Sequence, residues 1–481
     1  MKTGIPRLRL RGDAPKPGRT TVLPIATGAI PAALADVAAA AGFLGAAGQV
    51  ARVSAPGFPD LVLAGAGTSA WERAGGEAMA LLDATPPPVD GPARRIALDL
   101  RGLDPADAIA VATGAALRAW TPPIRRKAPL PKRPRLILHV GDPDDLAEDF
   151  LAMQAVLAGV GFCRTLVTEP ANILTPERFA ARLRRLERFG MSVDILGVDA
   201  LAKAGAGAIL AVGQASANPP CLAILRWAGS AGGDPLVLVG KGMTFDTGGI
   251  SIKPAAGMED MRADMAGAAA CAGALLALAL RQSPAPVTAV LALAENMPGA
   301  NAWRPGDVIR TLSGRTVETI DTDAEGRMVL ADALAWAVRH EHPAALVDLA
   351  TLTGSIVTAL GHHRAGMFGT DPPLLAQVGA AGEATGDAVW HMPIAAGHEE
   401  PLKSQIADLR QCATGRLQPD ACHAAAFLRH FAEGIPWVHL DIAGVESREE
   451  ADWRGPAGAT GFGVRLLDAL AAARFEHADR A

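Results

Sequence analysis

The 481-residue chain contains no tyrosine, and aromatic residues make up only 4% of it. Any acid, base or oxyanion role that a phenol might fill must fall on other groups. Cysteine is scarce as well. Cys163, Cys221, Cys271, Cys412 and Cys422 are odd in number, scattered and without CxxC spacing, which points to a reduced, cytoplasmic protein. None of the 11 histidines falls in an HExxH pattern, excluding a zincin, and His362, His363 and His439 read as surface or core residues. No GxSxG elbow is present. Gly240-Lys241 hints at a phosphate loop, but Pro235 stands where its first glycine is needed and no Ser or Thr follows the lysine. The most apolar run, Met265 to Leu280, is too short for a bilayer and reads as a buried helix. Met1 to Thr20 lacks the apolar stretch of a signal peptide. With 45 basic and 50 acidic residues the net charge is −5, which argues against a globally basic nucleic-acid binder.

What is present is apolar and small. Half the chain is hydrophobic, with 52 glycines and 36 prolines, enough material for two or three packed domains. Short strand-like runs (61–63, 96–100, 136–140, 192–196, 222–226, 236–239, 287–292, 346–349 and 438–442) alternate with longer helical stretches. That alternation predicts an α/β protein: a small N-terminal α/β domain over 1–140, then a larger α/β/α domain over 141–481 with a largely parallel central sheet. The basic, proline-rich segment Thr121 to Arg135 reads as an exposed connector. Thr175 is placed to cap a helix opened by Pro176.

Two segments carry the chemistry. In the first, an apolar strand ends on Lys241, glycines allow a tight loop presenting Asp246, and Lys253 and Asp264 follow. The second runs from Asp321 through Asp323 and Glu325 to Arg327; spacing by two puts the last three on one face if the segment is extended. Asp246, Asp264, Asp323 and Glu325 together carry −4. Two divalent cations would neutralise them, the arrangement of a paired-metal hydrolase. Lys253 and Arg327 would then remain to hold an anionic intermediate and a small anion.

VGKGMTFDTGGISIKP with MEDMRADM, and DTDAEGRMVLADAL, resemble the two hallmark segments of the leucyl aminopeptidase (cytosol aminopeptidase) family. Supporting matches are TEPANILTPERFA, ILAVGQASANPPCLAIL, VDLATLTGSI, HLDIAGV and GATGFGVRLL. The resemblance implies a metalloaminopeptidase hydrolysing the N-terminal bond of peptides, cytoplasmic and homohexameric, with a macro-like N-terminal domain. It implies metal ligands Lys241, Asp246, Asp264, Asp323 and Glu325 for two ions, Mn²⁺ or Zn²⁺. Lys253 and Arg327 would be catalytic, with Arg327 holding a bicarbonate as general base. Met261, Thr351, Leu352 and Gly354 would lie near the substrate's first side chain. The family's usual asparagine is replaced by Asp321, and Cys412 to His423 departs from a glycine-rich form. Two alternatives stand beside this reading: a DNA-binding role using the basic connector Arg125 to Arg135, which the acidic balance disfavours, and a dedicated dipeptidase such as a cysteinylglycinase.

Overall fold

The computed structural model describes residues 3–16, 18–85, 88–123, 127, 132–415 and 418–476. It is α/β throughout and divides into two compact units: 1–161 with 448–460, and 162–447 with 461–481. Seven of the fifteen residues of the proline-rich segment 121–135 lie outside the described residues, so its reading as a connector is untested by the structure.

The first unit contains strands β1 (Arg7–Arg11), β2 (Thr20–Ala26), β3 (Val50–Ala55), β4 (Phe58–Gly67), β5 (Arg95–Asp99) and β6 (Arg135–His139). They form one sheet in the order β1-β6-β5-β2-β4-β3, parallel except for the β3–β4 pair. Ile96, Leu98, Leu136 and Leu138 are fully buried in it. Parallel pairing sets Arg7, Arg135 and Arg95 opposite one another on three adjacent strands.

The second unit is built on β7 (Ser192–Leu196), β8 (Cys221–Trp227), β9 (Leu236–Asp246), β10 (Val287–Asn296), β11 (Val308–Arg310), β12 (Thr316–Glu318), β13 (Ala345–Ala350), β14 (Ala365–Gly369), β15 (Val389–His391), β16 (Leu409–Arg410) and β17 (Trp437–Asp441). Eight of these form a sheet ordered β15-β14-β17-β13-β9-β10-β8-β7; β11, β12 and β16 make a small separate one. The centre, β17-β13-β9-β10, is parallel, and antiparallel pairs flank it. Strands buried on both faces need no polar alternation, which is why VTAVLALAEN is buried at every position.

Helix Ala266–Leu280 covers the central strands and is buried along almost its whole length. The helices 147–168 and 258–280 are long and apolar enough to cross a membrane, but their apolar windows are 67% and 89% buried, the surroundings of core helices. Alanine and glycine let the helix approach the sheet closely. A Cβ on Gly267 would lie 2.0 Å from the Leu349 carbonyl oxygen, and one on Gly240 would lie 2.5 Å from Ala268 Cα. Thr175 caps its helix as expected, accepting from Arg178 N.

The extended reading of 323–327 is corrected. Glu325 is the first residue of helix Glu325–His340, so Glu325 and Arg327 point in different directions around it. All five cysteines are buried and unpaired, and burial pushes the Cys163 and Cys221 thiols up to about 12. His439 lies buried against Asp348, its Nδ1 2.6 Å from Oδ1.

Gly267→Ala is expected to cost about 1–3 kcal/mol through overpacking, read as a lower urea midpoint. Gly379→Ala is the control, since a Cβ there meets nothing within 4 Å; equal midpoints for the two variants would contradict the close-packing argument.

Candidate metal centre

The carboxyl ends of the parallel strands are where α/β sheets place their ligands, and the candidate residues gather there. Strand β9 carries Lys241 inside the sheet and ends on Asp246. Asp264 closes the short helical turn Met258–Ala263. Asp323 and Glu325 lead into helix Glu325–His340. Asp246, Asp323 and Glu325 each present an oxygen, and these atoms lie within 4.8 Å of one another.

Lys241 sits at the centre of the charge. Its Nζ lies 2.8 Å from Asp264 Oδ1 and 2.8 Å from Glu325 Oε1, and donates to the Thr351 carbonyl at 2.8 Å. Burial alone would drive the Lys241 pKa down, but Asp264, Glu325 and Asp246 outweigh it and hold the pKa above its ordinary value. Lys253 behaves alike: it reaches Asp246 Oδ2 at 2.9 Å and pairs with Asp323, which raises its pKa against burial. Gly326 makes room for Lys241, because a Cβ there would lie 2.7 Å from its Cε.

The carboxylates show the cost of crowding. Burial, and then mutual repulsion, pushes Asp323 up to about 7; burial likewise raises Asp264 and Glu325. Asp264 Oδ2 is buried with no hydrogen-bond partner among the described residues. Such an oxygen is expensive to keep unless something binds it.

Polar neighbours fix the carboxylates in place. Asn296 Nδ2 donates to Asp246 Oδ1 at 2.8 Å and to the Thr322 carbonyl at 2.9 Å. Thr351 Oγ1 donates to Asp264 Oδ1 at 2.7 Å. Thr322 Oγ1 donates to the Gly248 carbonyl at 2.6 Å and accepts from Ser251 N at 2.8 Å, joining the two acidic loops. Gln411 accepts from Ile320 N and Asp321 N and donates to the Ala324 carbonyl, clamping the second loop from about ninety residues away. Asp321 Oδ1 accepts from Asp323 N at 2.9 Å, a turn that an asparagine oxygen could close equally.

Lys241, Asp246, Lys253, Asp264, Asp323 and Glu325 border one cavity of about 590 Å³, together with Met261, Thr351, Leu352 and Gly354. Asp420 and Glu446 also line it; burial pushes Glu446 up to about 7. Arg327 is reached from this cavity, but its guanidinium is already engaged. Nη2 donates to Asp420 Oδ1 at 2.7 Å and Nη1 to the Gln411 carbonyl at 3.0 Å. The residue reading missed Asn296, Gln411, Asp420 and Glu446. Asn296 ends an apolar strand and Gln411 follows a two-residue strand, and neither carries a spacing that marks it. Asp420 lay within the departing segment Cys412 to His423.

The model of the cytosol aminopeptidase catalytic domain matches residues 161–468. A probable cytosol aminopeptidase of Caulobacter vibrioides is 47% identical over 342 residues, covering 70% of this chain and 69% of its own. One from Brucella suis is 39% identical over 465 residues, covering 92% and 91%. Among solved structures, a manganese complex of the bottromycin maturation enzyme BotP is 36% identical with a TM-score of 0.82, covering 94% of this chain and 99% of that one. The cytosol aminopeptidase of Coxiella burnetii is 28% identical with a TM-score of 0.83, covering 97% and 99%. With its acidic cluster at the mouth of a parallel sheet and this kinship over most of its length, the chain belongs to the cytosol aminopeptidase family and is a metallo-aminopeptidase.

Proposed function

We propose that the enzyme removes single apolar or small residues from peptide N-termini, with Lys241, Asp246, Asp264, Asp323 and Glu325 holding two divalent ions. The observation that carries this is the convergence of three carboxylates within 4.8 Å at a cavity bordered by two lysines. The donor set fits the ions: Asp264 Oδ2 is orphaned, and the raised carboxylates would be relieved by positive charge. Lys241 would coordinate only as a neutral amine, giving up the proton its carboxylate neighbours now stabilise. Oxygen donors with a single amine suit Mn²⁺ and Zn²⁺ alike.

Bound there, two divalent ions would polarise the scissile carbonyl and make water a competent nucleophile near neutral pH. The chain supplies the rest. Lys253 Nζ faces the cluster and would donate to the oxygen on which negative charge develops. Met261, Thr351, Leu352 and Gly354 would bound the first side chain. The buried network of Asn296, Thr322 and Gln411 would keep the ligands from relaxing away from that geometry. A bicarbonate at Arg327 would have to share the guanidinium with Asp420 Oδ1 on Nη2 and the Gln411 carbonyl on Nη1. Cytoplasmic residence and a homohexamer belong to the same proposal; light scattering on the purified enzyme reads the assembly.

A second reading, nucleic-acid binding, has one observation in its favour. Arg7, Arg135 and Arg95 stand in register, and with Arg9, Arg11, Lys16 and Arg19 they border a cavity of about 100 Å³. Among the described residues no carboxylate lies within ion-pair distance of any of these seven. Like charges opposite one another on a sheet repel, and a polyphosphate backbone would relieve them.

The enzyme loaded with Mn²⁺ or Zn²⁺ should cleave leucyl-p-nitroanilide and lose activity to chelator; Glu325→Ala should reduce it to background, and full activity in that variant would end the metal assignment. Lys253→Ala should lower kcat about 10²–10³-fold. Asn296→Ala should weaken metal binding about 10–100-fold in a chelator competition, and unchanged affinity would remove Asn296 from the site. A panel of N-terminal residues including cysteinylglycine separates a broad aminopeptidase from a dedicated dipeptidase. For the second reading, duplex DNA should bind at low salt and weaken steeply with added salt, and Arg95→Gln with Arg135→Gln should abolish it; no low-salt binding would dismiss it.

A further inference from the structure

The guanidinium of Arg327 is buried, its side chain only 2% exposed, and a buried cation needs an anion. The anion it has is Asp420. This carboxylate is 39% exposed, so it is fixed at one end by the cation and open at the other to the cavity of the acidic cluster. Its position is built, not incidental. Asp420 is the first residue of helix Asp420–Arg429, directly after Pro419. The next amide, Ala421 N, donates to Ser355 Oγ at 2.8 Å, tying that helix start to the helix Gly354–Leu360 beside the substrate-lining residues. Gln411, which holds the second acidic loop, takes the other end of the same guanidinium.

We propose that Asp420 is the proton-accepting carboxylate of this enzyme, supplied by the chain itself where the resemblance would draw a bicarbonate from solution. The proposal rests on the aminopeptidase reading. As water attacks the carbonyl carbon, a C–O bond forms and the carbonyl π pair moves onto its oxygen, while the departing water proton passes to Asp420. As the C–N bond breaks, that proton passes to the amide nitrogen, which takes the bonding pair and leaves as the amine. Asp420 returns to carboxylate, and one water is consumed per bond. Arg327, always protonated, orients the carboxylate through the Nη2–Oδ1 contact at 2.7 Å. An acceptor held on the chain acts without the entropy of capturing a separate anion. It also frees the rate from bicarbonate concentration.

The test uses the full-length, metal-loaded enzyme in degassed, bicarbonate-free buffer. Wild-type kcat is expected to be the same with and without 10 mM bicarbonate, about the scale on which a small anion would saturate a single guanidinium. Asp420→Ala should lose about 10²–10⁴-fold in kcat, the range for a general base, and regain at least a tenth of the wild-type rate with added bicarbonate. Asp420→Asn, which keeps the shape and an oxygen to accept from Arg327 Nη2, should be as slow and should not be rescued. A thermal-shift arm on metal-free protein reads the fork without catalysis: bicarbonate should raise the melting temperature of Asp420→Ala and leave wild type unmoved. The proposal is overturned if wild-type activity falls when bicarbonate is removed, if Asp420→Asn retains wild-type kcat, or if either variant loses only substrates with a cationic first residue. A wild type inactive on every N-terminal amide would instead overturn the aminopeptidase reading, and the thermal-shift arm would still report whether Asp420 fills the fork.

Discussion

Four carboxylates and two lysines held close together at the end of a hydrophobic sheet form the constraint that the rest of the catalytic unit serves. Removing such charges from water is costly unless each finds an opposite charge or a donor. Lys241 lies between Asp264 and Glu325, and Lys253 between Asp246 and Asp323, so each cation bridges two anions from different segments. The pattern leaves the carboxylates under-compensated, with Asp323 near 7. A site that resists its own full ionisation is one prepared to receive further positive charge.

That constraint accounts for features that otherwise look like ordinary packing. Lys241 can stand inside β9 because Gly326 gives up its side chain beside it. The helix Ala266–Leu280 is nearly all alanine, leucine and glycine, which lets it press on β9, the strand that carries Lys241 and Asp246. The loops are then locked by single buried polar residues. Asn296 joins Asp246 to Thr322, and Gln411 joins the loop at 320–324 to Arg327. Removing any one of these leaves another polar group unsatisfied in the interior, a larger penalty than the bond's own net value.

Asp420 shows how a departure from a family pattern acquires meaning only in three dimensions. In the sequence it is one acid in a segment lacking the expected glycines. In the structure its Oδ1 accepts from the buried guanidinium of Arg327 at 2.7 Å, beside the acidic cluster's cavity. Asp321, the other departure, turns out to close a local turn.

Much of the architecture was legible because it depends on local, one-dimensional signals. Apolar runs of four to six residues marked six of the eight strands of the central sheet, missing β14 and β15; Thr175 and Pro176 marked a helix start, and the two acidic segments marked the centre. Those segments are recognisable because strand, glycine loop and charged residues occur in fixed order. The helical placement of Glu325 was not legible: spacing by two suggests an extended segment, and the helix that overrides it is set by packing of Met328 to Ala337 against the sheet. Nor were Asn296, Gln411, Glu446 and the Arg327–Asp420 pair, whose partners lie up to 93 residues away. The sequence by itself determined the fold class and the two acidic segments that meet at the centre, since periodicity and composition are properties of neighbours along the chain. Only the tertiary structure decided which oxygen meets which cation, because burial and pairing of charge are properties of neighbours in space.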